Sequence, residues 1–187
     1  FIAVPKRLAF FGSRPMSESL IKFLAYMLAD GCCVKSFFKG KLHGHCCSFT
    51  KTDPVLIKDF EVSCDGLGIG YRRAGVSHYL RGNARPLLRR FGVLGHSAKT
   101  KTIPKCIFRL PKEQLALFLR VFFSCDGYVD KDGTTIGLAL ANKAMLRQIG
   151  HLLIRFGIVF KFRYRPVRRE GRLFKAWEIS IGSQEYV

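Results

Sequence analysis

The stretch Phe23-Leu24-Ala25-Tyr26-Met27-Leu28-Ala29-Asp30-Gly31 returns, altered but recognisable, as Leu119-Arg120-Val121-Phe122-Phe123-Ser124-Cys125-Asp126-Gly127. Each copy is an apolar run that ends on Asp-Gly. A helix carries partial negative charge at its C-terminal end, so a carboxylate there is disfavoured unless a cation compensates it. One such Asp fits a turn. Two, at matched places in two similar halves, point to a shared cation site.

Around the first copy, Leu20, Phe23, Leu24, Met27 and Leu28 follow helical spacing, predicting a helix over Ser17 to Leu28. Ser17 suits the N-cap, Glu18 the first turn and Gly31 the end. Ala25 and Ala29 make the last turns apolar all round, which predicts burial. Pro111 to Cys125 repeats the pattern with Leu115, Phe118, Leu119, Phe122 and Phe123. Val121 and Cys125 stand where Ala25 and Ala29 stand, and small residues four apart let two helices approach closely.

After each helix the period changes to that of strands. Cys32 to Phe38 and His45 to Thr50, around a Gly40-to-Gly44 turn, read as a hairpin. Tyr128 to Asp130 and Thr134 to Ala141, around Lys131-Asp132-Gly133, read as its counterpart. Helices follow at about Pro54 to Val62 and Asn142 to Phe156, then two more strands near Ile69 to Arg81 and Ile158 to Ile181. The first half adds a helix around Asn83 to Phe91. The fold class expected is α+β: two pseudo-symmetric αββαββ(α) halves, with the repeated helices packed at the seam. Residues 17–94 form one half and 110–187 the other, joined by a linker over 95–109. Each antiparallel sheet buries one face on its helices and leaves the other available, together forming a saddle.

The 187 residues, 48% hydrophobic, suffice for a real core. Lys and Arg number 32 against 13 Asp and Glu, a formal charge of +19. Such an excess attracts polyanions from a distance and points to nucleic acid. A basic membrane-surface protein is the competing class, but the basic residues are spread along the chain and no uncharged run is long enough to span a bilayer. No signal peptide is visible, and the chain starts at Phe1, so it reads as an excerpt or processed fragment. Seven cysteines, an odd number, include the neighbours Cys32-Cys33 and Cys46-Cys47, which on strands point to opposite faces. A reducing, intracellular (cytoplasmic) setting follows. Zinc at His43, His45, Cys46 and Cys47 lacks any CxxC spacing, and alternating strand positions explain these residues equally well. Gly66-Leu67-Gly68-Ile69-Gly70 lacks a P-loop Lys-Ser/Thr and reads as a loop.

These repeats resemble the LAGLIDADG (DOD-type) homing endonucleases, in the two-motif single-chain form. Phe23 to Gly31 keeps Ala29-Asp30-Gly31 of the nine-residue signature, and Leu119 to Gly127 keeps Leu119 and Asp126-Gly127. Lys101-Thr102-Ile103-Pro104 is similar to the Lys-x-Ile-Pro element of intein-borne members, and Ile2-Ala3-Val4-Pro5 to the junction between splicing domain and endonuclease in replicative helicase inteins. Residues 1–16 are then a remnant of that junction. The third motif position, usually Gly, is Ala25 and Val121; Val121 is expected to push the helices apart or to demand a small partner. The symmetry mate of Lys101 is not identifiable.

The resemblance implies a site-specific endonuclease that makes a double-strand break by Mg²⁺-dependent phosphodiester hydrolysis at a long target. Its alternatives are a catalytically inactive DNA-binding relative and an RNA-binding maturase. Asp30 and Asp126 would hold two or more divalent ions with the carbonyls of Ala29 and Cys125, and Lys101 would act on the attacking water or on developing charge. Double-stranded DNA is the partner expected for a monomer with internal pseudo-twofold symmetry. Lys35, Lys39, Lys41, His43 and His45 of the first hairpin are candidate DNA contacts, as are Arg72, Arg73, Tyr79 and Arg81 of the next strands. Lys161, Arg163, Arg165, Arg168, Arg169, Arg172 and Lys175 form the densest basic cluster. Lys161, Arg163 and Arg165 share one strand face, with Phe160, Phe162 and Tyr164 on the other.

Overall fold

The computed structural model describes residues 10–169 and 171–182, with the side chains of Phe37, Phe38, Leu42, His43, Arg169 and Arg172 outside the described residues. The junction-like Ile2 to Pro5 also lies outside them.

The first repeat forms α1 (Glu18–Ala29) and the second forms the helix Lys112–Asp126. Residues 23 to 28 of α1 are at most 1% exposed, as an all-round apolar pattern requires. The elements after α1 are β1 (Gly31–Phe38), β2 (Lys41–Thr50), α2 (Pro54–Asp65), β3 (Tyr71–Ala74), β4 (Ser77–Leu80) and α3 (Ala84–Arg90). The second half contains α4 (Lys112–Asp126), β5 (Gly127–Val129), β6 (Thr135–Leu140), α5 (Lys143–Arg155), β7 (Lys161–Tyr164), β8 (Val167–Arg169), β9 (Arg172–Phe174) and β10 (Trp177–Gly182). Asp53 accepts from the Val55 and Leu56 amides to start α2, and Asn142 accepts from Met145 to start α5.

The two antiparallel sheets have the orders β1-β2-β4-β3 and β5-β6-β10-β7. These are the same topology; β8 and β9 form a separate ribbon inserted between β7 and β10. That ribbon is an addition to the two strands expected there. The first hairpin also turns earlier than expected, at Lys39-Gly40 (φ 48° and 76°) and not over Gly40 to Gly44. Positive φ at both turn residues matches the twist of a two-residue hairpin, and a register shift after Ser36 absorbs the extra residue opposite.

α1 and α4 pack against each other at the seam. Val121 is 4% exposed and Ala25 fully buried. Each motif Gly is required by close approach: a Cβ on Gly31 would come within 2.5 Å of the Met27 carbonyl oxygen, and one on Gly127 equally close to that of Phe123.

Register makes the halves comparable residue by residue. Gly31 pairs with Phe49 and Cys33 with Cys47, as Gly127 pairs with Leu138 and Val129 with Ile136. Cys33 and Cys47 are 1% and 2% exposed, whereas Val129 and Ile136 are 61% and 46% exposed. The Gly95 amide donates to the Cys33 carbonyl, so the loop after α3 covers the first pair; among the described residues the second half has no helix equivalent to α3. All seven cysteines are free thiols.

The expected linker is not a loose tether. Lys101, Ile103, Ile107 and Leu110 are all at most 3% exposed. Asn142 donates to the Lys101 carbonyl (2.7 Å), and Gln148 accepts from the Ile103 amide (2.9 Å). On the other side, Met16 and Gln114 exchange two hydrogen bonds, which docks residues just before α1 onto α4.

Candidate metal centre and nucleic-acid face

The seam brings Asp30 and Asp126 together at the C-terminal ends of α1 and α4. Burial, and next the charge of Asp30, push the Asp126 carboxyl up to about 6; Lys51 and Lys101 oppose them. Two carboxylates at two negative helix ends call for positive charge, and two lysines supply it.

Lys51 lies between β2 and α2. Its ammonium donates to Asp30 Oδ2 (2.6 Å) and to the carbonyl of Cys125 (2.7 Å), bridging the two motifs. Burial would lower its pKa, but the hydrogen bond and charge of Asp30, with Cys125 and Asp126, raise it overall. The sequence reading did not single out this residue. Its local signal was slight: a lysine two positions before the N-cap of the helix that follows the first hairpin.

Lys101 is 1% exposed. Its ammonium donates to the carbonyls of Met27 (2.7 Å), Leu28 (3.2 Å) and Gly31 (2.5 Å). Two of these, Met27 and Leu28, are carbonyls left unpaired at the end of α1, and Gly31 begins β1, so Lys101 closes the helix, offsets its dipole and ties it to the strand that follows. Desolvation lowers its pKa, against the nearby cysteines and both aspartates.

Asp30 Oδ2 and the Cys125 carbonyl therefore already converge on one cation, the Lys51 ammonium, and Asp126 adds a further carboxylate. This all-oxygen set fits a hard divalent ion. The Ala29 carbonyl is not among the partners of either lysine. Among the described residues, no three His, Cys, Asp or Glu side chains group as a metal site.

On the first sheet, register separates the expected DNA contacts. Cys33, Cys47, Phe49, His78 and Leu80 face the helices, so Lys35 and its partner His45 take that side too. Arg73 pairs with His78 and forms an ion pair with Glu61 of α2. Lys35 and Arg73 are nonetheless exposed. Adjacent residues on a strand cannot share a face, and it is Arg72 that lies outward, 5.3 Å over the ring of Tyr79. Lys39 and Lys41 sit at the exposed hairpin tip, and Arg81 is exposed just beyond β4. On the second sheet, Lys161 and Arg163 pair with Ser180 and Glu178 on the open face, while Phe162 pairs with the buried Ile179. Arg165 continues the open row; Arg168 lies in the ribbon and Lys175 just before β10, both exposed.

Among the described residues, no helix is long and apolar enough to cross a membrane.

Residues 113–187 match the LAGLIDADG-like domain family. A structure of mesophilic variants of the homing endonuclease I-DmoI superposes with a TM-score of 0.60 at 16% identity, covering 88% of both chains. I-DmoI in complex with DNA and Ca gives 0.58 at 16% identity, covering 88% of this chain and 83% of that one. I-WcaI bound to its DNA recognition sequence gives 0.50 at 14% identity, over 91% and 78%. In sequence, the replication factor C small subunit of Methanocaldococcus jannaschii is 28% identical over 97% of this chain, and replicative DNA helicase DnaB of Rhodothermus marinus 24% over 99%. The chain spans only 10% and 21% of the length of those two relatives. The chain carries a LAGLIDADG-like domain and is built on the fold of the single-chain LAGLIDADG homing endonucleases.

Proposed function

We propose that the chain is a site-specific, Mg²⁺-dependent DNA endonuclease that cuts both strands of a long target site. The observation that carries this reading is the convergence of Asp30 and the Cys125 carbonyl on one cation beside Asp126. Hydrolysis of a phosphodiester needs a positioned water, neutralisation of growing phosphate charge and stabilisation of the leaving oxygen. Divalent ions held by Asp30, Asp126 and the Cys125 carbonyl would supply Lewis-acid activation and charge neutralisation there. The carboxylates, one per half, address one strand each. Lys101 has its donors engaged by carbonyls, so it fixes the helix end that presents Asp30. Lys51, the more accessible cation, yields its seat and stabilises charge developing on the phosphate. The outward rows of the two sheets hold double-stranded DNA, with phosphate contacts positioning and base contacts specifying.

An intein-borne, intracellular setting fits the sequence relatives. Proteins with unrelated tasks, including replication factor C, a replicative helicase and an aminotransferase, each contain a stretch similar to this chain that makes up 21% or less of their length. A module shared among such hosts behaves as an insert. Residues 1–16, the halves 17–94 and 110–187, and a monomeric state belong to the same proposal.

The Lys51 ammonium in the cation seat favours one second reading, a DNA-binding relative that does not cut. Incubating the protein with a randomised DNA-site library in Mg²⁺ or EDTA separates the two. Metal-dependent cuts at one enriched site support the nuclease; enrichment without cuts supports the binding protein.

A further inference from the structure

Glu178 is fully buried, yet it belongs to the open face of the second sheet, because its neighbour Ile179 faces the core. Burying a carboxylate is costly unless it is paired and hydrogen-bonded. Three partners do this. Tyr128 and Arg165 Nη1 donate to Oε1, and Arg163 Nε donates to Oε2. Arg165 Nη1 also donates to the Tyr128 hydroxyl (2.7 Å), with its guanidinium 5.8 Å from the Tyr128 ring centroid. Gly137 makes the arrangement fit, because a Cβ there would overlap the Tyr128 ring lying across the sheet. Burial would raise the Glu178 pKa; the bonds from Tyr128, Arg163 and Arg165 outweigh it and hold the carboxyl below the ordinary glutamate value.

A negative charge on this face weakens simple attraction to phosphate. What it supplies is order, since two long arginines lose their rotamer freedom before any ligand arrives. Arg163 and Arg165 are still 60% and 50% exposed. Among the described contacts, Arg163 keeps both terminal nitrogens free and Arg165 keeps Nε and Nη2. Each free edge is a two-donor fork of the kind that matches guanine O6 and N7 in the major groove. Residues two apart on a strand are separated by roughly 6.6 Å, about two base steps of ~3.4 Å.

We propose that Glu178 is a positioning residue for base readout, locking Arg163 and Arg165 to read two guanines about two base pairs apart in the half-site beneath the second sheet. The proposal rests on the DNA-binding reading above. The outward Arg72 of the first sheet has a Tyr79 ring beside it and no such carboxylate among its described contacts, so the guanine preference belongs to one half-site.

The test is selection of binding sites from random duplex DNA in EDTA by the full chain, with wild type, Glu178→Gln and Tyr128→Phe. Wild type is expected to enrich two guanines at this spacing in one half-site. Glu178→Gln should bind random DNA within about two-fold of wild type, or more tightly, yet lose roughly ten-fold of the guanine preference at both positions. The other half-site should not change. Tyr128→Phe, which deletes one hydroxyl, should relax only the Arg165 position, and it decides the matter should Glu178→Gln fail to fold. Unchanged base preference in a folded variant overturns the proposal while leaving DNA recognition standing. A wild type that enriches no sequence overturns both. Equal loss of random and specific binding marks a merely structural role and also overturns it.

Discussion

Lys51 and Asp30 meet at 2.6 Å, and the same ammonium reaches the Cys125 carbonyl at 2.7 Å, so one side chain spans both motif helices. The oxygens it joins are two of those proposed to hold the metal. Lys51 and a divalent ion therefore compete for one seat. In the absence of DNA, Lys51→Met should tighten Ca²⁺ binding several-fold, read by calorimetry, because the competing cation is gone. Cleavage should fall at least ten-fold, because the charge that serves the phosphate goes with it. Unchanged Ca²⁺ affinity would place the metal elsewhere.

The carboxylates act as a pair. Asp30→Ala or Asp126→Ala should each abolish double-strand cleavage while leaving DNA affinity in EDTA within a few-fold of wild type. Gel assays on supercoiled and linear target separate cutting from binding. Wild-type cutting by either variant contradicts the assignment.

pH enters through Asp126, whose carboxyl is pushed up to about 6 from an ordinary 3.8 by burial and by Asp30. A raised carboxyl pKa means the folded state holds its proton more tightly than the unfolded chain. Its contribution to stability is thus present below about 3.8 and is lost as pH rises through about 6, on the order of 2–3 kcal/mol. Denaturant melts between pH 4 and 7 should show that slope, and Asp126→Asn should flatten it. Metal affinity runs the opposite way, weakening below about pH 6 as the ligand protonates.

Lys101 holds three carbonyls where α1 gives way to β1. Lys101→Met leaves them without their donor, at a cost of about 2 kcal/mol, which lowers Tm by roughly 4–8 °C for a chain of this size. Differential scanning calorimetry reads this directly. A Tm equal to wild type would mean that water replaces the ammonium there.

Much of this fold was legible in the residues because two halves repeat one pattern. Leu20, Phe23, Leu24 and Met27 at helical spacing, with Asp-Gly to follow, located the seam, and the strand period after each motif located the hairpins. The rest depended on relations that sequence spacing does not carry. Lys51 reaches the site only because β2 ends beside the second motif. The side of the sheet taken by Arg72 or Arg73 was open to alternation, since neighbours must face opposite ways, but which of the two turns outward is decided by the pairing of Arg73 with His78. Glu178 sat unnoticed among basic residues, because its value lies in what it holds across three strands. The β8–β9 ribbon carried no signal that separated it from β7 and β10.

Binding to random duplex DNA should fall by orders of magnitude between about 50 and 200 mM salt, if six or more phosphates are contacted. Filter binding across that range checks it, and a flat response would remove the phosphate-contact account of the two sheets.

Whether the seam is a nuclease site is decided by cleavage of the randomised duplex library in Mg²⁺, with EDTA and Asp126→Ala as controls and sequencing of the cut ends. One long enriched site is expected, cut on both strands, only by wild type and only with metal. Cutting that persists in EDTA or in Asp126→Ala, or a wild type that binds its site and never cuts it, would contradict the account.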